Sequence, residues 1–324
     1  MGMYICQRLV LLVVTIFIII SAVFILSRFL PNTGFDGDPD MDPTLRAMLE
    51  RHYGLDRPVH EQYFMFMRRL VVERNLGYST RVWPRQPVMQ EIMRRLPITI
   101  QINIFSTLIV YPLGFIFGTI MGTKHNTKTD HSLNVVMMLG ISIPMFVTAA
   151  LLQYFLAYHL GWFPIMLSTD RPNEWVLSWP KFHSMILPII AVSFGPIMGI
   201  ARILRGELTE TLTSDFMLLA KTKGLSHKQA TLRHAMRNSL VPLTGTIATI
   251  FTSLLMGSLV VEMFFGVPGV SRVFINAIGV VDTPVIMGWM ILFTTINLFM
   301  IIVTDLLYGV VDPRIRMGGR RSEA

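Results

Sequence analysis

The sequence predicts an all-α membrane protein with six transmembrane helices. Of its 324 residues, 52% are hydrophobic and only 15% are charged, a balance that soluble domains rarely reach. Six runs are nearly free of charge and long enough to cross the hydrocarbon core, which requires about 17–25 residues. These runs are residues 9–26, 98–122, 133–158, 185–201, 240–261 and 284–304.

The basic residues indicate the orientation of the chain in the membrane. The formal net charge of +8 would also suit a nucleic-acid-binding protein. With the N-terminus in the cytoplasm, however, the cytoplasmic side receives seven basic residues between Arg202 and Arg237. The two short outside loops hold only Arg171, Lys181 and Arg272. This positive-inside bias predicts cytoplasmic termini and a lipid environment, and no nucleic-acid partner is expected.

Three segments follow from this topology. Residues 1–30 hold the first helix, residues 31–97 form a helical extracytoplasmic subdomain, and residues 98–324 form a core with the other five spans. The first run is alternatively a cleavable signal peptide, but it is long and no small-residue cleavage site follows it. The single cysteine excludes a disulfide within the chain, so packing must hold the outside subdomain together.

The extracytoplasmic subdomain is predicted to contain three short helices. Residues 42–54 have the N-cap, N1 proline and terminal glycine of one helix. Asp56 and Pro58 begin a second, which either packs on the membrane helices or meets an external partner. Its apolar face consists of Val59, Tyr63, Phe66 and Leu70. A third helix follows Pro84 and ends at Pro97.

Small and helix-breaking residues mark two of the predicted spans. Gly114, Gly118 and Gly122 recur at spacing four in the second span, so another helix can approach its backbone closely. Glycine, serine and proline within residues 140–144 interrupt the third span. That interruption predicts either a functional hinge or a local repacking of the helix.

The fifth span carries small and hydroxyl side chains along one face. Thr246, Thr249, Ser253 and Gly257 follow one another at spacings of three and four. Such hydroxyls either bond their own backbone and a neighbouring helix or line a polar pathway. Together with Ser142 of the third span, these residues form the predicted translocation pathway.

The chain after the fifth span is predicted to fold back at the outer mouth. Glycine and proline residues at 266–269 precede a short helix, and an Asp-x-Pro sequence precedes the sixth span. The residues predicted for the outer mouth are Glu262, Phe265, Pro268 and Asp282.

The hydrophilic segment 202–242 is the most strongly patterned part of the chain. Residues 215–223 read as a short helix that begins with an acid and ends with lysine, as the helix dipole favours. Gly224 stands where a left-handed C-cap is required, and Ser226 with Gln229 forms the capping box of a second short helix. Four apolar residues of the first helix are predicted to be exposed and to press into another protein: Phe216, Met217, Leu218 and Leu219.

The sequence carries no signature of catalysis or metal binding. H-E-x-x-H, G-x-S-x-G, C-x-x-C and G-x-x-x-x-G-K patterns are missing, so no enzyme activity, metal or bound cofactor is expected of this chain. An intramembrane enzyme would also need a base beside a serine or threonine in the spans. The spans contain almost no ionisable residue, which disfavours an ion-driven transporter. Uphill transport would then require energy from another protein.

Residues 214–242, SDFMLLAKTKGLSHKQATLRHAMRNSLVP, resemble the cytoplasmic coupling loop of ABC importer permeases. The form is that of the dipeptide, oligopeptide and nickel uptake family. Matching motifs extend over nearly the whole chain and include Asp38-Pro39, Tyr53-Gly54-Leu55-Asp56, Leu76-Gly77-Tyr78-Ser79, Glu262-x-x-Phe265-Gly266-x-Pro268-Gly269, Asp282-x-Pro284-Val285 and Asp305-x-x-Tyr308-x-x-x-Asp312-Pro313-Arg314. The long outside segment resembles that of the first, B-type permease subunit.

This resemblance implies the type I ABC importer permease fold and a set of partners. A second homologous permease completes a heterodimer, and an extracytoplasmic solute-binding protein delivers the solute. Two cytoplasmic ABC ATPases hold ATP and Mg, and each receives one coupling helix. The resemblance assigns ATPase coupling to Asp215, Phe216, Met217, Leu218, Leu219, Ala220, Lys221, Gly224 and Leu225. Ala220 and Gly224 match the family pattern, whereas Leu218 and Leu219 replace the acid and alanine of the general importer motif.

The resemblance implies peptides, dipeptides or oligopeptides, as the solute. Nickel chelates, glutathione, opines and oligosaccharides are alternatives with the same architecture, because the binding protein determines much of the specificity. A stand-alone secondary transporter or channel is the alternative outside this class, and it would work without ATPases.

Overall fold

A computed structural model describes residues 2–29, 54–168, 172–240 and 254–311, together with positions 44, 47, 48, 51 and 243. Within these ranges, the side chains of residues 2–5, 221, 227 and 304–311 are outside the description. The described residues are mainly helical, and their β-type pairing is limited to an isolated antiparallel bridge between Tyr78 and Pro87.

The helices are numbered in chain order. They are α1 Gly2–Ser27, α2 Val59–Val71, α3 Val88–Thr123, α4 Lys128–Ser142, α5 Met145–Leu152, α6 Trp179–Leu212, α7 Asp215–Thr222, α8 His227–Ala230, α9 Met236–Ser239, α10 Leu259–Phe264, α11 Val270–Val280 and α12 Thr283–Val311. Two π-helical turns, Gln153–His159 after α5 and Thr231–Ala235 between α8 and α9, extend their neighbours.

Four of the described helices, α1, α3, α6 and α12, are long and apolar enough to cross a membrane. A fifth span is possible where α4 and α5 meet at a bend of 97°, at the predicted interruption of residues 140–144. These segments match five of the six predicted runs. The predicted run 240–261 lies largely outside the described residues, so the count of six stays a prediction.

The segment predicted to be extracytoplasmic differs from its prediction in two places. The chain does not begin a new helix after Pro97: α3 runs unbroken from Val88 to Thr123, so the short third helix and the second span are one helix. A proline removes one N–H donor, and a membrane helix can tolerate that loss without ending. Pro58, without a side-chain hydrogen bond, is the N-cap of α2, so Asp56 does not cap it. The helix predicted within 42–54 lies largely outside the described residues.

The chain divides into two compact units, of which the first comprises residues 1–99, 173–175 and 268–302. In this unit, the apolar face of α2 packs on α1 and α12. The Phe24 ring stacks on Phe66 at 5.3 Å, and the Tyr63 hydroxyl lies 2.7 Å from Ser21 Oγ. Packing on membrane helices is therefore confirmed for this face, with the exception of Val59, which is exposed.

The second unit comprises residues 100–172, 176–267 and 303–324. Here α3 and α6 approach each other at the glycines spaced by four. A Cβ at position 118 would lie 2.8 Å from Leu204 Cβ and 2.9 Å from the Ala201 carbonyl oxygen, and Gly114 and Gly122 are equally close to α6. The predicted close helix approach is confirmed, and α6 is the neighbouring helix.

An ion pair joins the start of α4 to α6 in the second unit. The fully buried Asp130 carboxylate accepts hydrogen bonds from Arg205 Nε at 2.6 Å and from Arg205 Nη2 at 2.9 Å. The backbone N–H of Asn126 donates to the same carboxylate at 3.0 Å. Bidentate arginine pairs of this kind fix orientation as well as distance, so the turn before α4 is held in a defined place on α6.

Candidate functional site

The hydrophilic segment after α6 folds into two short helical pieces joined at a glycine. α7 ends at Thr222, and Gly224 adopts a φ of +84°, in the left-handed region. The Leu225 N–H donates to the Ala220 carbonyl at 3.3 Å, as in the Schellman motif that closes many helices. The predicted C-cap at Gly224 is therefore confirmed. We call the segment 213–239 the α7–α9 corner.

The second half of the corner begins with a reciprocal cap. The Ser226 N–H donates to Gln229 Oε1 at 3.1 Å, and the Gln229 N–H donates to Ser226 Oγ at 3.3 Å. These two bonds are those of a capping box, which confirms that prediction. Helical structure continues to the buried Ser239, whose hydroxyl donates to Thr211 Oγ1 of α6 at 3.1 Å. The end of the corner is thereby tied to α6.

One face of α7 forms a small core beneath the corner. Met217 is fully buried and Ala220 is nearly so. Both pack in a cluster with Leu208, Ala230 and Ala235. Residues three positions apart lie on the same face of a helix, so these two side chains point inward together. The prediction that Met217 is exposed is therefore wrong, because this side chain attaches α7 to α6.

The other side chains of α7 leave apolar surface exposed. Phe216 is 41% exposed, Leu218 65% and Leu219 56%, which confirms the exposure predicted for these three residues. We call them the α7 patch. Asp215 is exposed at the start of the helix, where a carboxylate favours the dipole, and the Lys221 side chain lies outside the described residues. Large apolar side chains exposed side by side mark a contact surface, although their role in coupling stays a prediction.

A further exposed apolar side chain of the corner was missed in the sequence. Leu232, in the π-helical turn between α8 and α9, is 59% exposed. Its neighbours Thr231 and Ala235 are buried. The sequence gives no signal for this difference, because the register of a π-helical turn shifts each side chain away from its α-helical direction.

The predicted translocation pathway is described only in part. Thr246, Thr249 and Ser253 lie outside the described residues. Ser142 is exposed, and its hydroxyl donates to the Met138 carbonyl of its own helix at 2.8 Å. This bond is the backbone alternative that the sequence left open for such hydroxyls. The role of all four residues in a pathway stays a prediction.

The outer end of the predicted fifth span is interrupted. Residues 256–258 are not helical, and α10 begins at Leu259 with Ser258 as its N-cap, whose hydroxyl accepts from the Val261 N–H at 3.5 Å. The prediction of an unbroken helix through Val261 is therefore wrong, and the predicted pathway residue Gly257 lies within the interruption. A serine that caps the next helix competes with continuation of the first.

Two of the residues predicted for the outer mouth lie in the second unit, at the end of α10. Glu262 and Phe265 are both buried. The Val267 N–H donates to the Glu262 carbonyl at 2.9 Å, and Gly266 has a φ of +65°, so the chain turns back sharply here. The short helix expected after this turn is present as α11.

The other two predicted mouth residues, Pro268 and Asp282, lie in the first unit. The Asp282 carboxylate is fully buried and accepts the Ser79 hydroxyl at 2.6 Å. It also accepts backbone N–H groups from the loop that follows: Thr80 at 3.1 Å, Arg81 at 2.9 Å and Val82 at 2.9 Å. Asp282 thus fastens the loop 79–82 to the turn between α11 and α12. Its role at a mouth stays a prediction.

These features define a class of protein. Several long apolar helices and a helix-to-helix approach through small residues describe an integral membrane protein. It also carries a folded hydrophilic corner with an exposed apolar patch. The described residues contain no group of three His, Cys, Asp or Glu residues arranged to hold a metal ion.

Comparison with known families assigns the chain more closely. Residues 114–317 match the model of the binding-protein-dependent transport system inner membrane component, and residues 1–103 match the model of the N-terminal region of such components. The chain belongs to this family of inner-membrane transport components, which confirms the resemblance seen in its motifs.

Individual relatives align with the chain from end to end. The dipeptide transport system permease protein DppB of Lactococcus lactis is 36% identical over 97% of this chain and 99% of its own length. The protein of the same name from Bacillus subtilis is 31% identical over 98% of this chain and 99% of its own. The oligopeptide transport system permease protein OppB of Haemophilus influenzae is 32% identical over 97% and 99%.

Proposed function

We propose that this chain is the permease subunit of an ATP-driven importer that moves dipeptides or oligopeptides across the cytoplasmic membrane. The observation that carries this proposal is the full-length similarity to permeases of dipeptide and oligopeptide transport systems. The α7–α9 corner adds a mechanical part that such a subunit needs, because it presents a rigid apolar surface on a hydrophilic segment.

The α7 patch is the surface on which a cytoplasmic ATPase docks. Met217 and Ala220 hold α7 on α6 from beneath, while Phe216, Leu218 and Leu219 remain free for a partner. Burial of one leucine of the patch against the ATPase would stabilise the contact by about 1.5–3 kcal/mol. Because Met217 and Ala220 pack α7 on α6, a movement of the ATPase that pushes on α7 would be passed directly to α6. The chain itself binds no cofactor, and ATP and Mg are held by the ATPases.

In this proposal the chain has three kinds of protein partner, and lipid is its surroundings. A second homologous permease completes the pathway, two ABC ATPases occupy the cytoplasmic side, and a solute-binding protein docks from outside. Membrane lipid surrounds the spans, and nucleic acid has no part. The chain contributes six spans with both termini in the cytoplasm, an extracytoplasmic segment at 31–97 and a core at 98–324.

Peptide is the proposed cargo because the chain aligns over nearly its full length with permeases of dipeptide and oligopeptide transport systems. Nickel chelates, glutathione, opines and oligosaccharides are tested as competitors, since the same architecture would accept them with another binding protein. A stand-alone transporter or channel is tested by leaving the ATPases out.

The test is uptake by the reconstituted importer. The chain is co-expressed with a second permease, the ATPases and a solute-binding protein from its source organism, and the complex is placed in liposomes with ATP inside. Uptake of radiolabelled dialanine and pentaalanine is expected to require ATP and the binding protein. Uptake of a competitor class, with no uptake of either peptide, would contradict the proposed cargo, and uptake without ATPases would contradict the class.

A matched pair of variants tests the docking surface. Leu218→Glu places a charge on the α7 patch and is expected to weaken ATPase capture by about tenfold or more, given the value of one buried leucine. Leu232→Glu makes the same change at an exposed residue outside α7 and is expected to keep ATPase capture. Equal capture by both variants would contradict docking on α7.

A further inference from the structure

We propose that Asn103 is a positioning residue for the translocation pathway, because its side-chain amide holds the interrupted outer end of the fifth apolar run in place. This inference rests on the proposed transport function. It concerns a contact within the second unit between α3 and residues 254–258, just before α10.

Asn103 is buried in α3 and donates two hydrogen bonds across to another segment. Its Nδ2 lies 3.3 Å from the Leu254 carbonyl oxygen and 3.3 Å from the Met256 carbonyl oxygen, and the side chain is 7% exposed. Both partners are backbone carbonyls, which can only accept. The amide nitrogen, with its two N–H donors, is therefore the atom that must face them.

The two carbonyls need an external donor because the chain stops being helical at this point. Residues 256–258 are not helical, so the Leu254 and Met256 carbonyls lack the N–H donors that a continuing helix would supply. Within the hydrocarbon layer no water pairs with a free backbone carbonyl, and neighbouring polar side chains commonly supply the missing donor. Asn103 supplies both missing donors from one side chain.

The interruption determines where α10 lies. Directly after it, the Ser258 hydroxyl caps α10 and lies 3.2 Å from Met145 Sδ, at the first residue of α5. At the far end of α10, Gln153 Nε2 donates to the Phe264 carbonyl at 3.0 Å. α10 is thus held against the second limb of the 97° bend between α4 and α5.

Two interrupted membrane segments therefore meet, and Asn103 fixes one of them to α3. Interrupted helices in transporters commonly lie where the solute passes or where the pathway opens and closes. Loss of the Asn103 amide would leave the break without its anchor, so that movement of α6 and its neighbours would no longer be transmitted fully to α10.

The experiment uses the complete importer in liposomes with Asn103→Leu and Asn103→Asp. Leucine removes both donors at similar volume, and a carboxylate of the same shape offers only acceptors to the carbonyls. Asn134→Leu is the control, since the Asn134 amide has only a long contact of 3.9 Å to Met138 Sδ among the described residues. Loss of one interhelical hydrogen bond in a membrane weakens the association of two segments about threefold. Loss of both Asn103 bonds should therefore weaken the attachment of residues 254–256 to α3 about tenfold.

We expect Asn103→Leu to lower dialanine uptake per ATP hydrolysed about tenfold, Asn103→Asp to lower it at least as much, and Asn134→Leu to leave it unchanged. A second readout needs no transport. In a Cys6→Ser background, Leu259→Cys gives the chain a single thiol at the first residue of α10, where the native side chain is 37% exposed and makes none of these hydrogen bonds. Its maleimide labelling is expected to rise severalfold with Asn103→Leu. Unchanged labelling with Asn103→Leu, unchanged uptake with Asn103→Leu in a working importer, or equal effects with Asn134→Leu would each overturn the inference.

The two readouts separate this inference from the proposed function. If the unmodified importer takes up neither peptide, the proposed function fails while the labelling comparison still decides whether Asn103 holds the break. If the unmodified importer works and the labelling rate does not respond to Asn103→Leu, the inference fails and the proposed function stands.

Discussion

Substitution of Gly224 tests the α7–α9 corner at its most constrained residue. Gly224 has a φ of +84°, and a Cβ at this position would meet no atom of the described residues within 4 Å. The cost of a side chain here is therefore conformational and not steric. For an L-residue the left-handed conformation costs about 1–2 kcal/mol, and a β-branched residue fits it worst.

A cost of this size lowers the population of the conformation with residue 224 in the left-handed region about five- to thirtyfold. Gly224→Val is therefore expected to uncouple ATP hydrolysis from peptide uptake, because the α7 patch would no longer be presented in a fixed orientation. Gly224→Asn should retain most of the uptake, since asparagine tolerates the left-handed region better than other residues. The assay measures dialanine uptake and phosphate release in the same liposomes.

Gly206 provides a matched control within α6. It also has no atom of the described residues within 4 Å of a Cβ, but its φ is in the ordinary helical range. Gly206→Ala is expected to be neutral or to stabilise by about 0.5–1 kcal/mol. Normal coupling of ATP hydrolysis to uptake in Gly224→Val would refute the assignment of the corner to ATPase coupling. An equal loss of coupling in Gly206→Ala would show that the effect is not specific to the left-handed turn.

Three further substitutions test contacts that lie within one or the other unit. For each variant the loss of unfolding free energy is measured as a lower thermal unfolding midpoint in detergent. Asp282→Asn replaces a carboxylate that accepts only backbone and hydroxyl donors. It should lower the free energy of unfolding by about 3 kcal/mol, because at least one charge-assisted bond is lost and one amide N–H meets another donor. An unchanged midpoint would contradict the role of the buried carboxylate. Gly118→Val should cost about 1–3 kcal/mol, since its side chain would collide with Leu204 on α6; a stable variant would mean that the helices are farther apart. Arg205→Lys should lower the free energy of unfolding by about 1.5–3 kcal/mol, because one hydrogen bond to Asp130 is lost. A midpoint for Arg205→Gln equal to that of the unmodified chain would show that the arginine charge does not matter.

Local chemistry made the corner predictable from sequence. The capping box joins Ser226 and Gln229, three residues apart, and the Schellman bond joins Ala220 to Leu225. Both depend on residue types within a few positions, and no distant partner has to be known. The regular spacing of Gly118 and its neighbours likewise predicts a close helix approach, although the identity of the opposing helix required the structure.

Distant contacts explain what the sequence could not predict. Met217 has the same character as the exposed leucines beside it, and it is buried because it faces Leu208 on α6 together with Ala230 and Ala235. The pairing of Asp282 with residues 79–82 and of Asn103 with the carbonyls before α10 joins segments far apart in the chain. Polar residues in such places satisfy partners that no periodic pattern reveals.

In the proposed function, the chain opens and closes a pathway with energy supplied by a separate ATPase. The direct measurement places the purified chain with its partner permease in sealed vesicles, with and without the two ATPases, ATP and the binding protein, and follows radiolabelled dialanine. We expect dialanine to accumulate only when all of these components are present. Accumulation by the permeases alone, without nucleotide, would contradict it.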